Sequence, residues 1–201
     1  MGYELLIKLC DCSEPVERTV LVPNNITFKR LADIINLVFG WNNNPHHSFV
    51  FLDQPKIITS SEDQYRKIKE ANALGQSKPK CSVSRSQSII IDRYFEEPHR
   101  IRYYYGENPV WEHDLEVIAV REDYLELYPK LLDFTGENVC CEAKGVTYFN
   151  ELTYYKQNKI ENEDFKELKA QPPMNLNLVN IYLQAGFIRR VLKEKKKEKE
   201  I

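Results

Sequence analysis

The feature that constrains this chain most is a single change of hydrophobic period within its first forty residues. Tyr3-Glu4-Leu5-Leu6-Ile7-Lys8-Leu9 alternates, so Tyr3, Leu5, Ile7 and Leu9 share one face of a strand and Glu4, Leu6 and Lys8 the other. Residues 17–23, ERTVLVP, form a second strand rich in β-branched residues, and the polar CDCSEP between them has hairpin length. After Pro23-Asn24-Asn25 the period lengthens. Phe28, Leu31, Ile34, Ile35 and Val38 recur at three- and four-residue steps, the spacing of one buried helix face. The Thr27 hydroxyl is placed to cap the start of that helix, and Gly40 to close it in a left-handed turn. Two strands and a helix in this order predict an α+β fold, a mixed sheet with a β-grasp-like ββαβ start whose next strand is 47–53, HSFVFLD.

Downstream, residues 60–88 change character. SSEDQYRKIKEANALGQ suits a short surface helix, and SKPKCSVSRSQS reads as a connector with almost no apolar content. The pair 100–105 and 111–121, joined by Gly106-Glu107-Asn108-Pro109, predicts a hairpin, while SIIIDRYF before it fits a strand or a helical turn. DYLELYPKLLDF, TYFNELTYYKQ, ENEDFKELKAQ and NLNLVNIYLQAGFIRRVL carry apolar residues at helical spacing, which predicts a helical C-terminal part. Neither side of 60–88 can close a core alone. The expectation is therefore one domain over 1–188, with 60–88 as a flexible excursion and 189–201 as a charged tail.

Composition narrows the class. With 42% hydrophobic residues and 28 basic against 30 acidic side chains in 201 residues, the chain is not a disordered one. No apolar run approaches the ~20 residues of a membrane span, and the first residues lack the pattern of an export signal. Five cysteines, an odd number without CxxC spacing, read as reduced thiols and predict a cytoplasmic protein. Seven of the basic residues and only three acidic ones fall within 189–201, so the body keeps 21 basic and 27 acidic side chains. An acidic body argues against a broad nucleic-acid face; the tail KEKKKEKEI could touch nucleic acid, but a mixed run of this kind is more often a solvated helix end or a frayed terminus. The partner is not named by the sequence: a protein partner is compatible with such a body, and no membrane is expected.

Chemistry is concentrated in two segments, His46-His47-Ser48-Phe49 and Trp111-Glu112-His113-Asp114. If their strands are neighbours, His47 and His113 meet at one sheet end. With Glu112, Asp114 or Glu142, two neutral imidazoles suit a zinc, iron or manganese ion or acid–base work. Sheet-end histidines bonded to backbone carbonyls are the competing reading. Cys140-Cys141 is a vicinal pair whose side chains diverge in extended chain, poor geometry for chelating one ion. No GxGxxG, Walker loop, GxSxG or HExxH is present. Tyrosines at 103–105 and 148–155 could stack bases, but the alternation of RYYYG equally supplies core.

These segments together resemble the plasmid pRiA4b ORF-3-like family, over roughly residues 3–183. The family's helix ending in Gly-Trp is matched by LADIINLVFGW, and its His-x-His-x-Phe element by His47-Ser48-Phe49, with Pro45 at the first histidine and His46 one residue on. Its Tyr-Asp-Phe-Gly-Asp-x-Trp-x-His motif is similar to Tyr103-Tyr104-Tyr105-Gly106-Glu107 followed by Trp111-Glu112-His113, with Tyr104 at the first aspartate and two extra residues before Trp111. The later Pro-Pro-Glu-Asp-x-Gly-Gly stretch resembles Cys140 through Val146, keeping Glu142 but placing Ala143 at its acid. The closing Phe-x-x-x-x-x-Asn matches Met174 through Asn180. The resemblance implies an α+β fold and residence on mobile elements. It names no reaction, cofactor or partner.

Two readings follow. One is a cytoplasmic binding or interaction module whose Trp111/His113 hairpin and Glu142 loop frame a recognition cleft. The other is a metal-dependent hydrolase or nuclease, with His47 and His113 as ligands, Glu142 as ligand or base and Glu107 as supporting carboxylate. In both, Trp111, His113 and Glu142 are expected to lie close together.

Overall fold

The computed structural model describes residues 1–42, 44–97, 99–139, 144–160 and 173–198. The alternating segments pair as expected. β1 (Gly2–Leu9) and β2 (Glu17–Pro23) form the opening hairpin, and α1 (Phe28–Phe39) follows. Further along come β3 (His47–Phe51), β4 (Lys56–Thr59), α2 (Glu62–Ala73), β5 (Ser82–Arg85), α3 (Asp92–Phe95), β6 (Ile101–Tyr105) and β7 (Trp111–Arg121). The last elements are β8 (Lys130–Thr135), α4 (Gly145–Gln157) and α5 (Leu176–Glu198). The eight strands form one mixed sheet in the order β5-β4-β3-β6-β7-β1-β2-β8, antiparallel throughout except for the β4–β5 pair. The ββα opening is present, but both neighbours of β1 run antiparallel to it, so a β-grasp-like pairing of strands is not what this sheet supplies.

One face of the sheet carries the core. Tyr3, Leu5, Ile7, Phe49, Tyr103, Tyr105, Trp111 and Leu115 alternate inward and are buried beneath α1. The α1 residues picked out by their spacing do the covering, with Phe28 edge-on to Phe49 at 4.9 Å between ring centroids. The Thr27 hydroxyl accepts the Arg30 N–H at 3.3 Å at the start of α1. At its end Gly40, at φ 75°, lets the Trp41 N–H donate back to Asn36 at 2.8 Å. That turn throws the Trp41 ring onto the sheet, stacked on Tyr105 at 5.0 Å.

Three segments differ from expectation. DYLELYPKLLDF is not helical: Lys130–Thr135 is β8, paired antiparallel with β2. Its leucines fall at helix-like intervals, yet Pro129 breaks the run and β2 offers an unpaired edge, which a strand satisfies and a helix cannot. The 60–88 excursion has its surface helix, α2, but SVSR joins the sheet as β5 through main-chain bonds, which do not require apolar side chains. SIIIDRYF resolves into a single bridge, Thr27 to Ile90, followed by α3. ENEDFKELKAQ lies outside the described residues. The charged run after residue 188 continues α5 as helix to Glu198.

Each outer strand is met by an asparagine side chain. The Asn180 amide from α5 accepts the Leu131 N–H at 2.7 Å and donates to the Leu131 carbonyl at 2.9 Å, completing a ladder step on the free side of β8. Asn72 from α2 does the same for Cys81, just before β5, at 3.1 and 2.6 Å. An amide carries one acceptor and a donor pair, matching a backbone peptide, and an unpaired sheet edge invites another strand. Asn180→Ala is expected to cost about 1–2 kcal/mol in urea unfolding. An unchanged midpoint would remove this role from Asn180.

Candidate functional site

His47 and His113 lie on the same side of the sheet, two strands apart. His47 opens β3 opposite Tyr105, and His113 in β7 pairs with Tyr103. Alternation turns both inward, so they are 4% and 0% exposed. The Tyr103 ring stands between them, 6.2 Å from the His47 ring and 5.3 Å from the His113 ring.

The ring nitrogens are already engaged. The Trp41 indole N–H donates to His113 Nε2 at 3.2 Å; because indole can only donate, Nε2 carries the lone pair and Nδ1 the hydrogen, which points to the Tyr103 carbonyl at 3.4 Å. Burial pushes His113 down to about 3, and the carbonyls of Tyr103 and Trp111 oppose it only in part. His47 Nε2 lies 3.0 Å from the Ser86 hydroxyl, and the Pro45 carbonyl also bonds the ring. Burial, reinforced by Lys29, lowers His47 to about 4. Both are neutral core imidazoles at physiological pH. Among the described residues no three His, Cys, Asp or Glu side chains form a group able to hold a metal ion.

Trp111 is 1% exposed, wedged against Trp41 at 5.0 Å and edge-on to Phe149 of α4 at 6.4 Å. Trp111 and His113 therefore face the core rather than a cleft, because the two-residue period that makes 111–121 a strand also puts 111, 113 and 115 under α1. Cys140, Cys141 and Glu142 lie outside the described residues, so the expected approach of Glu142 to the hairpin does too.

Glu107 is the remaining candidate, and it belongs to a different place. Its carboxylate sits 3.0 Å from His46 Nδ1, and the two span from the start of β3 to the β6–β7 turn. The Gly106 N–H donates to the His46 carbonyl at 3.0 Å and holds the two segments together. This pair stands at the rim of a cleft of about 880 Å³ on the face of the sheet opposite the core. Ser48, Val50 and Tyr104, the outward partners of the core-facing His47, Phe49 and Tyr103, line its floor, and Lys67 and Ile68 of α2 line its wall. α2 has no buried residue. It is fastened by polar contacts: the Arg85 guanidinium on Glu62 at 2.9 and 2.7 Å, the Tyr65 ring 4.5 Å from the same guanidinium, and Asn72 on Cys81. A volume of this size, lined by both apolar and polar side chains, suits a small-molecule ligand.

Sequence reasoning named Glu107 and noted His46, but not the cleft, whose α2 wall comes from a segment read as surface excursion. It also passed over Arg18, the largest buried polar side chain here.

Three comparisons bear on this geometry. The family described as plasmid pRiA4b ORF-3-like protein matches residues 1–178. No curated protein matches the chain. A crystal structure of a protein of unknown function, MM3350 from Methanosarcina mazei Go1, is similar in fold, with a TM-score of 0.66 at 16% identity over 88% of this chain and 96% of that one.

Proposed function

Since this chain belongs to the plasmid pRiA4b ORF-3-like family, we propose that it is a cytoplasmic binding module of that mobile-element-associated group, with the cleft beside His46 and Glu107 as its ligand site. The observation that carries the reading is the cleft itself. It combines about 880 Å³ of space with the His46–Glu107 pair at its rim, and it is lined by three residues of the family-like Tyr-x-x-Gly-Glu run, Tyr104, Gly106 and Glu107. The free thiols Cys10, Cys12 and Cys81 accord with a reducing compartment. The alternative of a metal-dependent hydrolase or nuclease on His47, His113 and Glu142 has less behind it, because both imidazoles are committed to hydrogen bonds in the core.

The test is a thermal-shift screen with nucleotides, amino acids and sugar phosphates. A ligand at a hundredfold excess over its Kd stabilises the folded state by about 2.7 kcal/mol, enough to raise Tm by several degrees. At least one compound is expected to do so for the wild type and to lose its effect on Val50→Trp, which fills the floor. No shift across the panel, or a shift that survives the filled cleft, would overturn the assignment.

A further inference from the structure

Among the described residues, one hydroxyl lining the cleft has no hydrogen-bond partner: that of Ser48, a residue only 8% exposed. The hydroxyls beside it are committed. Across the β3–β4 pairing from Ser48, the Thr59 hydroxyl accepts the Ser61 N–H at 3.0 Å. The Ser60 hydroxyl accepts the His47 N–H at 2.9 Å and donates to the Pro45 carbonyl at 2.7 Å. The Ser61 hydroxyl accepts the Gln64 N–H at 3.3 Å as the cap of α2. A hydroxyl can both donate and accept, and one nearly removed from water without a partner forfeits that capacity. Outward parity on β3 turns Ser48 toward the cleft, so its hydroxyl is free to bond whatever enters.

The start of α2 brings further donors to the same end of the cleft. Thr59, the partner of Ser48, stands just before the helix, whose first residues Glu62 and Asp63 line the cleft. Their N–H groups fall in the first turn, where a helix offers no acceptor, and among the described residues neither finds one. Lys67, one turn along the wall, is exposed and has no ion pair among the described residues. Helical side chains lean toward the N-terminus of their helix, which brings the Lys67 ammonium toward that first turn. A hydroxyl, two backbone N–H groups and an ammonium at the positive end of a helix dipole are the donors an oxyanion needs. The acids of the first turn are held elsewhere, Glu62 by Arg85 at 2.9 and 2.7 Å and Asp63 by Arg66. Their charge, with that of Glu107 at the rim, favours a ligand with one negative charge over one with two. Val50, Ile68 and Val110 line the same cleft and suit an apolar body.

We propose that the ligand of this cleft is a small carboxylic acid with an apolar body, its carboxylate bonded by the Ser48 hydroxyl, the Glu62 and Asp63 N–H groups and Lys67. The inference rests on the cleft being the ligand site and adds the chemistry that the site selects.

Calorimetric titration of the full chain with benzoate, phenylacetate and hexanoate, each beside its own amide, tests it. At least one acid is expected to bind, and its amide to bind about tenfold more weakly or not at all. Ser48→Ala and Lys67→Gln are each expected to weaken that acid about tenfold, while Lys69→Gln, on α2 but outside the cleft lining, leaves it unchanged. Ser48→Ala is expected to keep the wild-type unfolding midpoint, because its hydroxyl bonds nothing in the free protein. In amide NMR spectra the Glu62 and Asp63 signals are expected to move as the acid is added. No binding by any of the acids, an amide equal to its acid, an acid indifferent to both Ser48→Ala and Lys67→Gln, or phenyl phosphate bound more tightly than phenylacetate would overturn the proposal. A compound that binds regardless of its carboxylate yet is lost on Val50→Trp would overturn the carboxylate while leaving the cleft as the ligand site.

Discussion

Arg18→Met is expected to destabilise the protein by roughly 3–5 kcal/mol, seen as a lower urea midpoint with an unchanged m value. The Arg18 side chain is fully buried, and its hydrogen-bond partners are oxygens without full charge. Nε donates to the Val38 carbonyl at 2.9 Å, one of the carbonyls that the end of α1 leaves without a helical partner. Nη1 reaches the carbonyls of Glu17, Thr135 and Gly136 at 2.8, 2.7 and 3.2 Å, and Nη2 those of Glu137 and, through its side chain, Asn138 at 3.3 and 3.1 Å. The guanidinium lies against the Phe39 and Phe134 rings at 4.9 and 5.8 Å. Burial draws it down to about 10, which still leaves it charged at neutral pH. Methionine keeps most of the volume but orphans those carbonyls, and each buried unsatisfied group costs about 1–3 kcal/mol. Arg18→Lys is expected to recover little, because one ammonium cannot span a fork that ties the end of α1 to the end of β8 and the chain after it. A midpoint within error of wild type for Arg18→Met would show that water replaces the guanidinium.

Acid is expected to unfold this protein earlier than its carboxylates alone would require. His47 and His113, lowered to about 4 and about 3, are neutral when folded and take up protons near 6.5 when unfolded. Below 6.5 the unfolded chain binds more protons, so stability rises with pH there and falls as pH drops. The loss begins near pH 6.5 and continues until the folded-state values are reached, about 4 for His47 and about 3 for His113. At about 1.4 kcal/mol per pH unit per group, moving from pH 7 to 4.5 removes roughly 4–5 kcal/mol. Denaturation at a series of pH values measures the slope. His113→Leu, which strands the Trp41 N–H, is expected to be less stable at pH 7 by about 1–3 kcal/mol yet to lose stability less steeply toward pH 4.5. Equal slopes in the two proteins would mean that His113 is protonated in the fold.

Much of this architecture was legible in the order of residues. The opening hairpin, α1 with its Thr27 and Gly40 ends, β3 and the β6–β7 hairpin all follow from local periodicity, because a strand or helix must bury one face and the period declares which. Even the inward turn of Arg18, His113 and Trp111 is implied by the parity of their strands, since each falls in step with neighbours that form the core. That parity was the signal against a surface site at Trp111 and His113, and it outweighs the general association of loop–strand boundaries with function. Tertiary structure alone decided the rest. β8 is a strand because β2 had an edge to pair, and β5 because β4 did; long-range main-chain bonds of this kind leave no period in the sequence. Arg18 is tolerated in the core because the end of α1 and the chain after β8, some 20 and 120 residues away, bring carbonyls to it. The cleft exists because α2, none of whose residues is buried, stands across the open face of the sheet, bringing Lys67 and Ile68 opposite Tyr104 and His46. Burial is a local instruction, but partnership between segments far apart in the chain is settled only when the whole sheet has assembled.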